Sequence, residues 1–167
     1  MAAFGGQITY IYVMSLSATW QEEQRALLNQ KSVGLNEASQ KKYGIDYISG
    51  AIAKVPLRSQ GDEQKENFRL KTESLISIIP IAELSRPDSV KLYLKELSSY
   101  RAFILKEFNM VSKGHHLARW MPLGVAIGVA FGVALKNIGI GIAVGIGMGV
   151  AIGSGLDTKA EKEGRLI

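Results

Sequence analysis

The sequence predicts an all-α protein in which a small helical domain is followed by a glycine-rich transmembrane helical hairpin. Two observations carry this prediction. Residues 121–156 contain 10 of the 18 glycines and one charged residue, Lys136. Upstream of them, apolar residues recur at helical spacing among charged ones, most clearly after Pro87. We expect an uncharged extension at 1–18, a soluble helical domain at 19–114, the hairpin at 115–157 and a charged tail at 158–167.

The extension at residues 1–18 has no charged side chain. A secretory signal peptide would need a basic start and a continuous apolar core, and residues such as Gln7 and Thr9 interrupt this one. A short strand, a further membrane helix and an unstructured leader are all compatible with the composition.

The helical domain begins with a helix from Thr19 to Gly34, with an apolar face formed by Trp20, Ala26, Leu27 and Val33. A second helix fits Asn36–Tyr43, because Gly44 is suited to the left-handed C-cap position. Residues 45–55 mix apolar and small side chains before Pro56, so helix and strand both remain open there.

Two longer helices complete the domain. The first runs from Asp62 to about Ile79, where Pro80 ends it, and its expected core residues are Phe68, Leu70, Leu75, Ile76 and Ile79. The second starts at Pro87 and Asp88, which suit the first turn of a helix. Its expected core residues are Val90, Leu94, Leu97, Ile104 and Phe108, with Tyr93, Tyr100 and Phe103 broadening the face.

The apolar stretch is too long for one crossing. As a single helix, residues 121–156 would measure about 54 Å, against about 30 Å for the hydrocarbon core of a bilayer. Lys136-Asn137 divides the stretch into arms at 121–135 and 138–156. Asn137 suits either a left-handed end of the first arm or the N-cap of the second, and Pro122 suits the first turn of the first arm.

Both arms alternate large apolar residues with glycine or alanine, and this period of two also fits a strand. In a helix, residues four apart form one row. Each arm has such a row of glycines, and we call the two together the glycine row. The predicted helix-packing residues are Gly124, Gly128 and Gly132 in the first arm and Gly141, Gly145, Gly149 and Gly153 in the second. A second row of glycines and alanines lies on the opposite side of each arm. A two-stranded hairpin would leave backbone groups unpaired in lipid unless several copies closed a barrel. Helices are therefore favoured, and the alternatives are an oligomeric β-pore or an aggregation-prone segment.

These repeated Gly-x-x-x-Gly motifs resemble the glycine-zipper segments of small bacterial membrane proteins, over about a quarter of the chain. The resemblance implies close helix packing and often oligomers, and it implies no chemistry. This chain differs from the lipoprotein versions because it has no cysteine to acylate.

The remaining chemistry-bearing residues do not indicate an enzyme. His115 and His116 are adjacent, so on a helix their side chains do not converge on one metal ion, and a site here would need ligands from elsewhere. The carboxylates are scattered along amphipathic helices. The glycine-rich stretch lacks the Gly-Lys-Ser/Thr ending of a phosphate-binding loop. A formal charge of +5 is too dispersed to indicate nucleic-acid binding. We expect no catalytic residues, no metal and no cofactor.

The sequence therefore predicts a non-enzymatic integral membrane protein in which the hairpin anchors a cytosolic helical domain and mediates self-association. A pore-forming protein and a partner-binding module with a shielded apolar tail are the alternatives. The expected partners are the lipid bilayer and further copies of the chain. The expected location is the cytoplasmic membrane, and the bias of Lys and Arg toward the cytoplasm places both ends of the hairpin on its cytoplasmic side and Lys136 on the other side. The expected membrane-interface residues are Arg119, Trp120, Lys136 and Lys159.

Overall fold

The computed structural model describes residues 19–80 and 86–167. Within these ranges the chain forms seven α-helices and no β-strand, so the all-α prediction is confirmed. The predictions for residues 1–18 and for the connector at 81–85 lie outside the described residues. The helices are α1 (residues 19–32), α2 (Glu37–Tyr43), α3 (Ile45–Arg58), α4 (Asp62–Ser77), α5 (Pro87–Phe108), α6 (His115–Ala134) and α7 (Ile138–Lys162).

The chain divides into two compact units between Phe108 and Asn109. The first, which we call the helical unit, contains α1–α5, and the second contains α6 and α7 with the segments on either side of them. Residues 109–114, which the sequence assigns to the soluble domain, group with the second unit. Backbone hydrogen bonds explain this: Val111 donates to the carbonyl of Arg165, and Ile167 donates to the carbonyl of Val111, both at 2.9 Å.

Residues 45–58, for which the sequence left helix and strand open, form α3. Its apolar residues recur at helical spacing and bury one face, formed by Ile45, Ile48, Ala51, Ile52 and Val55. Gly44 separates α2 from α3 with φ of 66°, and its N–H donates to the carbonyls of Gln40 and Lys41. The predicted C-cap is confirmed, and a side chain at this left-handed position would also crowd Leu97.

Pro56 lies inside α3 near its C-terminal end. Proline has no N–H, so the carbonyl of Ile52 loses its ordinary helical partner. The side-chain amide of Gln21 in α1 donates to that carbonyl at 3.0 Å. A side chain of α1 thus supplies the hydrogen bond that α3 lacks at Ile52, and this bond links the two helices.

The predicted apolar face of α1 is wrong in part. Trp20 and Leu28 are buried, whereas Ala26, Leu27 and Val33 are exposed, Val33 to 78%. The buried face of α1 is therefore rotated about the helix axis from the predicted one, and polar contacts with α4 account for this difference. The indole N–H of Trp20 donates to Glu73 at 2.6 Å, and the Lys31 ammonium donates to the carbonyls of Ile76 and Ser77 at 2.8 and 2.6 Å. The lysine thereby satisfies the C-terminal end of α4, where a cation is favoured.

The core of α4 matches the prediction at four positions and differs at one. Phe68, Leu75, Ile76 and Ile79 are buried, but Leu70 is 56% exposed. Thr72 is buried instead, because its hydroxyl pairs with the Tyr100 hydroxyl at 2.9 Å and donates to the Phe68 carbonyl at 2.7 Å. A satisfied hydroxyl can be buried at little cost.

The buried face of α5 is more aromatic than its predicted centre. Leu97, Ile104 and Phe108 are buried as expected, while Val90 and Leu94 are only half-buried. Tyr93 and Tyr100 are buried at the centre of the face, and the Tyr93 hydroxyl donates to the carbonyl of Tyr43 at 2.7 Å. Tyrosines therefore link α5 to α2 and to α4 through both their rings and their hydroxyls.

These tyrosines predict an alkaline limit to the stability of the helical unit. Burial raises the pKa of Tyr47 to about 12, with the charge of Arg101 partly opposing the shift, and burial also raises the pKa of Tyr93 and of Tyr100. In the unfolded chain these groups ionise near 10, so their stabilisation is complete below pH 10 and is lost as pH rises through the folded values. For Tyr47 the loss is about 1.4 kcal/mol for each pH unit between 10 and 12.

Alkaline unfolding followed by Trp20 fluorescence measures this effect. Tyr47→Phe removes one ionisable group. Its free energy of unfolding, compared with its own value at neutral pH, should therefore fall less at alkaline pH than that of the wild type. An equal fall in both proteins would contradict the prediction.

Candidate membrane hairpin

Both apolar arms are α-helices, which excludes the strand alternative for these residues. α6 and α7 have 20 and 25 residues, and each contains an 18-residue stretch with a mean hydropathy of 1.6 in α6 and 1.8 in α7, so by length and composition each could cross a membrane. Both are longer than the predicted arms, because α6 begins at His115 and α7 continues to Lys162. Pro122 consequently lies inside α6, and its predicted place in the first turn is wrong. Gly114, with φ of 76°, precedes the helix at its actual start.

The turn between the helices uses both of its predicted residues, in separate roles. Lys136 takes the left-handed conformation, with φ of 54°. The N–H of Asn137 donates to the carbonyl of Gly132 at 2.8 Å, and that of Lys136 donates to Val133 at 3.0 Å, which is the pattern of a Schellman C-cap. The Asn137 side chain then accepts from the N–H of Ile140 at 3.2 Å and caps α7. One short turn therefore ends one helix and starts the next.

The glycine row lies where α6 and α7 face each other, and their backbones meet there directly. A Cβ atom at Gly145 would overlap the carbonyl oxygen of Gly124 and lie 2.8 Å from the Cα of Gly128. One at Gly153 would lie 2.6 Å from the Cα of Leu117. All seven glycines of the row are buried: Gly124, Gly128, Gly132, Gly141, Gly145, Gly149 and Gly153. Any side chain at these positions would force the helices apart.

The second row of small residues, which we call the outer row, faces away from this contact. A Cβ atom at Gly147 or Gly155 would meet no atom within 4 Å. The alanines that accompany them are exposed, namely Ala126, Ala130, Ala134, Ala143 and Ala151. The two rows therefore differ: one is closed within the hairpin, and the other is accessible.

The large side chains of the pair point outward, with exposed fractions of 62% for Phe131 and 68% for Leu135. Beside the contact, an apolar groove of about 170 Å³ has glycines on its floor and Ile127, Phe131, Ile140, Val144 and Met148 among its lining residues. The pair thus buries residues without side chains and exposes those with large apolar ones. This is the reverse of a helix pair in water.

Polar contacts close the base of the hairpin, where α6 begins and α7 ends. The carboxylate of Asp157 accepts from the backbone N–H groups of His116 and Leu117 at 3.0 and 3.3 Å. Arg165 donates to the side chain of Asn109 at 3.3 Å. Asp157 satisfies the start of α6, where a negative charge is favoured. No role was predicted for Asp157, although it is the first charged residue after the second arm.

The predicted interface residues lie at the two ends of the pair. Arg119 and Lys159 are exposed near the base, Lys136 is exposed at the tip, and Trp120 is half-buried in a small apolar groove with Gly149 and Ile152. The rings of His115 and His116 have centroids 5.2 Å apart. Throughout the described residues, there is no group of three or more His, Cys, Asp or Glu side chains that could hold a metal ion.

The closed row predicts that added side chains destabilise the hairpin itself. Gly145→Leu combined with Gly149→Leu should lower its stability by about 1–3 kcal/mol per site, because neither backbone can move away without losing the contact. Unfolding in mixed micelles with increasing sodium dodecyl sulfate, followed by Trp120 emission, measures the change.

Gly147→Leu combined with Gly155→Leu is the matched control, since it adds the same side chains where nothing lies within 4 Å. Equal stabilities of the two variants would show that the glycine contact does not hold the pair together.

Comparison with curated proteins and with solved structures gives no significant match. A comparison with protein families does give one. A family model described as a glycine zipper membrane protein matches residues 112–159, which include α6 and most of α7. The resemblance inferred from the glycine rows is therefore confirmed for this segment.

Proposed function

We propose that this protein is a non-enzymatic membrane anchor: the hairpin spans a bilayer, tethers the helical unit to its surface and associates with further copies of itself. One observation carries the proposal. The α6–α7 pair has its glycines inside and its large apolar side chains outside. Such a surface needs an apolar surrounding, and the match to a membrane protein family supports lipid as that surrounding.

The outward side chains supply the free energy of insertion. Each large aliphatic or aromatic side chain moved from water into an apolar medium contributes about 1.5–3 kcal/mol. The exposed ones include Leu123, Ile127, Val129, Phe131, Val133, Leu135, Ile140, Val144, Ile146, Met148, Val150 and Ile152. Glycines make no comparable contribution, so within lipid the pair is held by close backbone contact. Insertion and pairing thus use different residues.

A hairpin crosses twice and returns the chain to the side from which it came. Its base is flanked by Lys113, Arg119, Lys159, Lys162 and Arg165, whereas Lys136 is the single charge at the tip. Cytoplasmic loops carry the excess of Lys and Arg. We therefore place the base in the cytoplasm and the tip across the cytoplasmic membrane.

The outer row supports self-association. Small residues let neighbouring helices approach closely in lipid, and Gly147 and Gly155 remain uncovered in a single chain. A water-filled pore has less support, because the polar side chains between residues 121 and 156 are limited to Lys136, Asn137 and Ser154. That set does not supply a row facing a lumen along either helix.

The orientation is tested by cysteine labelling in intact cells. Asn137 caps α7, so the probe is better placed at the neighbouring exposed position as Leu135→Cys, with Thr158→Cys at the base. An impermeant thiol reagent should modify the first and not the second. The opposite pattern would overturn the orientation, and the same result at both positions, whether modified or unmodified, would mean that the hairpin does not cross the membrane.

Self-association is tested by cross-linking in membranes. Gly147→Leu combined with Gly155→Leu should reduce the yield of cross-linked dimers by about tenfold, corresponding to roughly 1.4 kcal/mol. The hairpin itself should stay intact, because those positions have open space. Ile142→Leu combined with Ile146→Leu is the control, since it preserves volume. Unchanged yield in the outer-row variant would mean that the hairpin is an anchor without self-association through this row.

A further inference from the structure

The apolar band of the hairpin is shorter than an ordinary bilayer is thick. In α6 the uncharged run between Arg119 and Lys136 spans residues 120–135. At a helical rise of about 1.5 Å per residue, this run measures about 24 Å. The hydrocarbon core of a typical bilayer is about 30 Å thick.

The second helix does not lengthen this band. Its uncharged run between Lys136 and Asp157, residues 137–156, would measure about 30 Å as a helix. However, a Cβ atom at Gly149 would lie 2.7 Å from the carbonyl oxygen of Trp120, and one at Gly153 would lie 2.6 Å from the Cα of Leu117. The last apolar residues of α7 therefore lie beside the start of α6, at the level of its two histidines and outside the band that both helices share.

The two edges of the band are marked by different groups. At the tip, Lys136 is exposed and the chain turns. At the base, the exposed Arg119 is followed by Trp120, a residue type that prefers the boundary between lipid and water. Tilting the pair does not relieve the difference in length, because a tilted helix spans less thickness.

We propose that the hairpin selects lipids that form a thin bilayer, with a hydrocarbon core of about 24 Å, and that Arg119 sets this thickness. The inference rests on the proposed function, since it requires the hairpin to span lipid. Short acyl chains match the length of the apolar band. With longer chains, either the bilayer becomes thinner around the hairpin or Arg119 and Lys136 are exposed to hydrocarbon.

Competition between lipids tests the proposal. The full chain is reconstituted in mixtures of a brominated phosphatidylcholine with unbrominated phosphatidylcholines of graded acyl length, whose cores run from about 22 to about 34 Å. Quenching of Trp120 reports how well each lipid competes for the hairpin surface. A Trp120→Phe variant supplies the background from Trp20, which is buried beside Phe68 in the helical unit.

The wild-type chain should bind best the lipids with cores near 24 Å, with affinity falling about threefold at 30 Å. Arg119→Leu extends the apolar run to residues 117–135, up to the polar His116, and should move the optimum to thicker bilayers by about 4.5 Å. Lys162→Leu removes an equal charge beyond Asp157, outside the band, and should leave the optimum in place.

Three results would overturn the proposal. An optimum of the wild type near 30 Å would mean that Arg119 extends to the surface from within the band. An unmoved optimum in Arg119→Leu would mean that another residue sets the thickness. If brominated lipid fails to quench Trp120 at any chain length, the hairpin does not lie in lipid, and the proposed function fails together with this inference.

Discussion

Direct contact between two backbones is the constraint on which the second unit depends. Because the facing positions of α6 and α7 lack side chains, the helices approach until backbone atoms touch, and the register follows from which glycine faces which carbonyl group. In this register the carboxylate of Asp157 reaches the first amides of α6. The short Lys136-Asn137 turn fits the same close spacing.

The helices of the helical unit pack through side chains and not through direct backbone contact. Its helices are separated by large aromatic side chains, and polar groups on one helix complete the hydrogen bonding of another. Gln21 satisfies the carbonyl left free by Pro56, Lys31 satisfies the end of α4, and Tyr93 reaches the end of α2. Each of these groups compensates for a backbone group that a helix cannot satisfy by itself. Packing in this unit therefore depends on specific partners.

The sequence predicted the class of fold and the residues of the α6–α7 contact more readily than it predicted the helical unit. A glycine every four residues limits the choices, because in a helix such a row permits close approach along its whole length. The face of α1 could not be predicted in the same way. Its orientation depends on where Glu73 and the end of α4 lie, and neither is visible from the periodicity of residues 19–34.

The details of the turn and the base were also inaccessible to periodicity. Asn137 was expected in either of two roles, and the left-handed conformation belongs instead to its neighbour Lys136, because a Schellman cap places that conformation one residue earlier. Pro122 was misplaced for a different reason. α6 begins just after Gly114, where Asp157 accepts from the N–H of His116. These two residues are 41 positions apart, so the sequence around Pro122 carries no signal of the contact.

The pairing of α1 with α4 has a consequence for how the chain folds during synthesis. Trp20 and its partner Glu73 are 53 positions apart, so α1 leaves the ribosome well before the helix against which it packs. Until α4 emerges, the indole ring lacks both Glu73 and Phe68, which it contacts in the folded unit. The hairpin is made later still, after every residue of α1–α5 has been translated. Because translation proceeds from the N-terminus, the helical unit can become compact before the second membrane helix is complete.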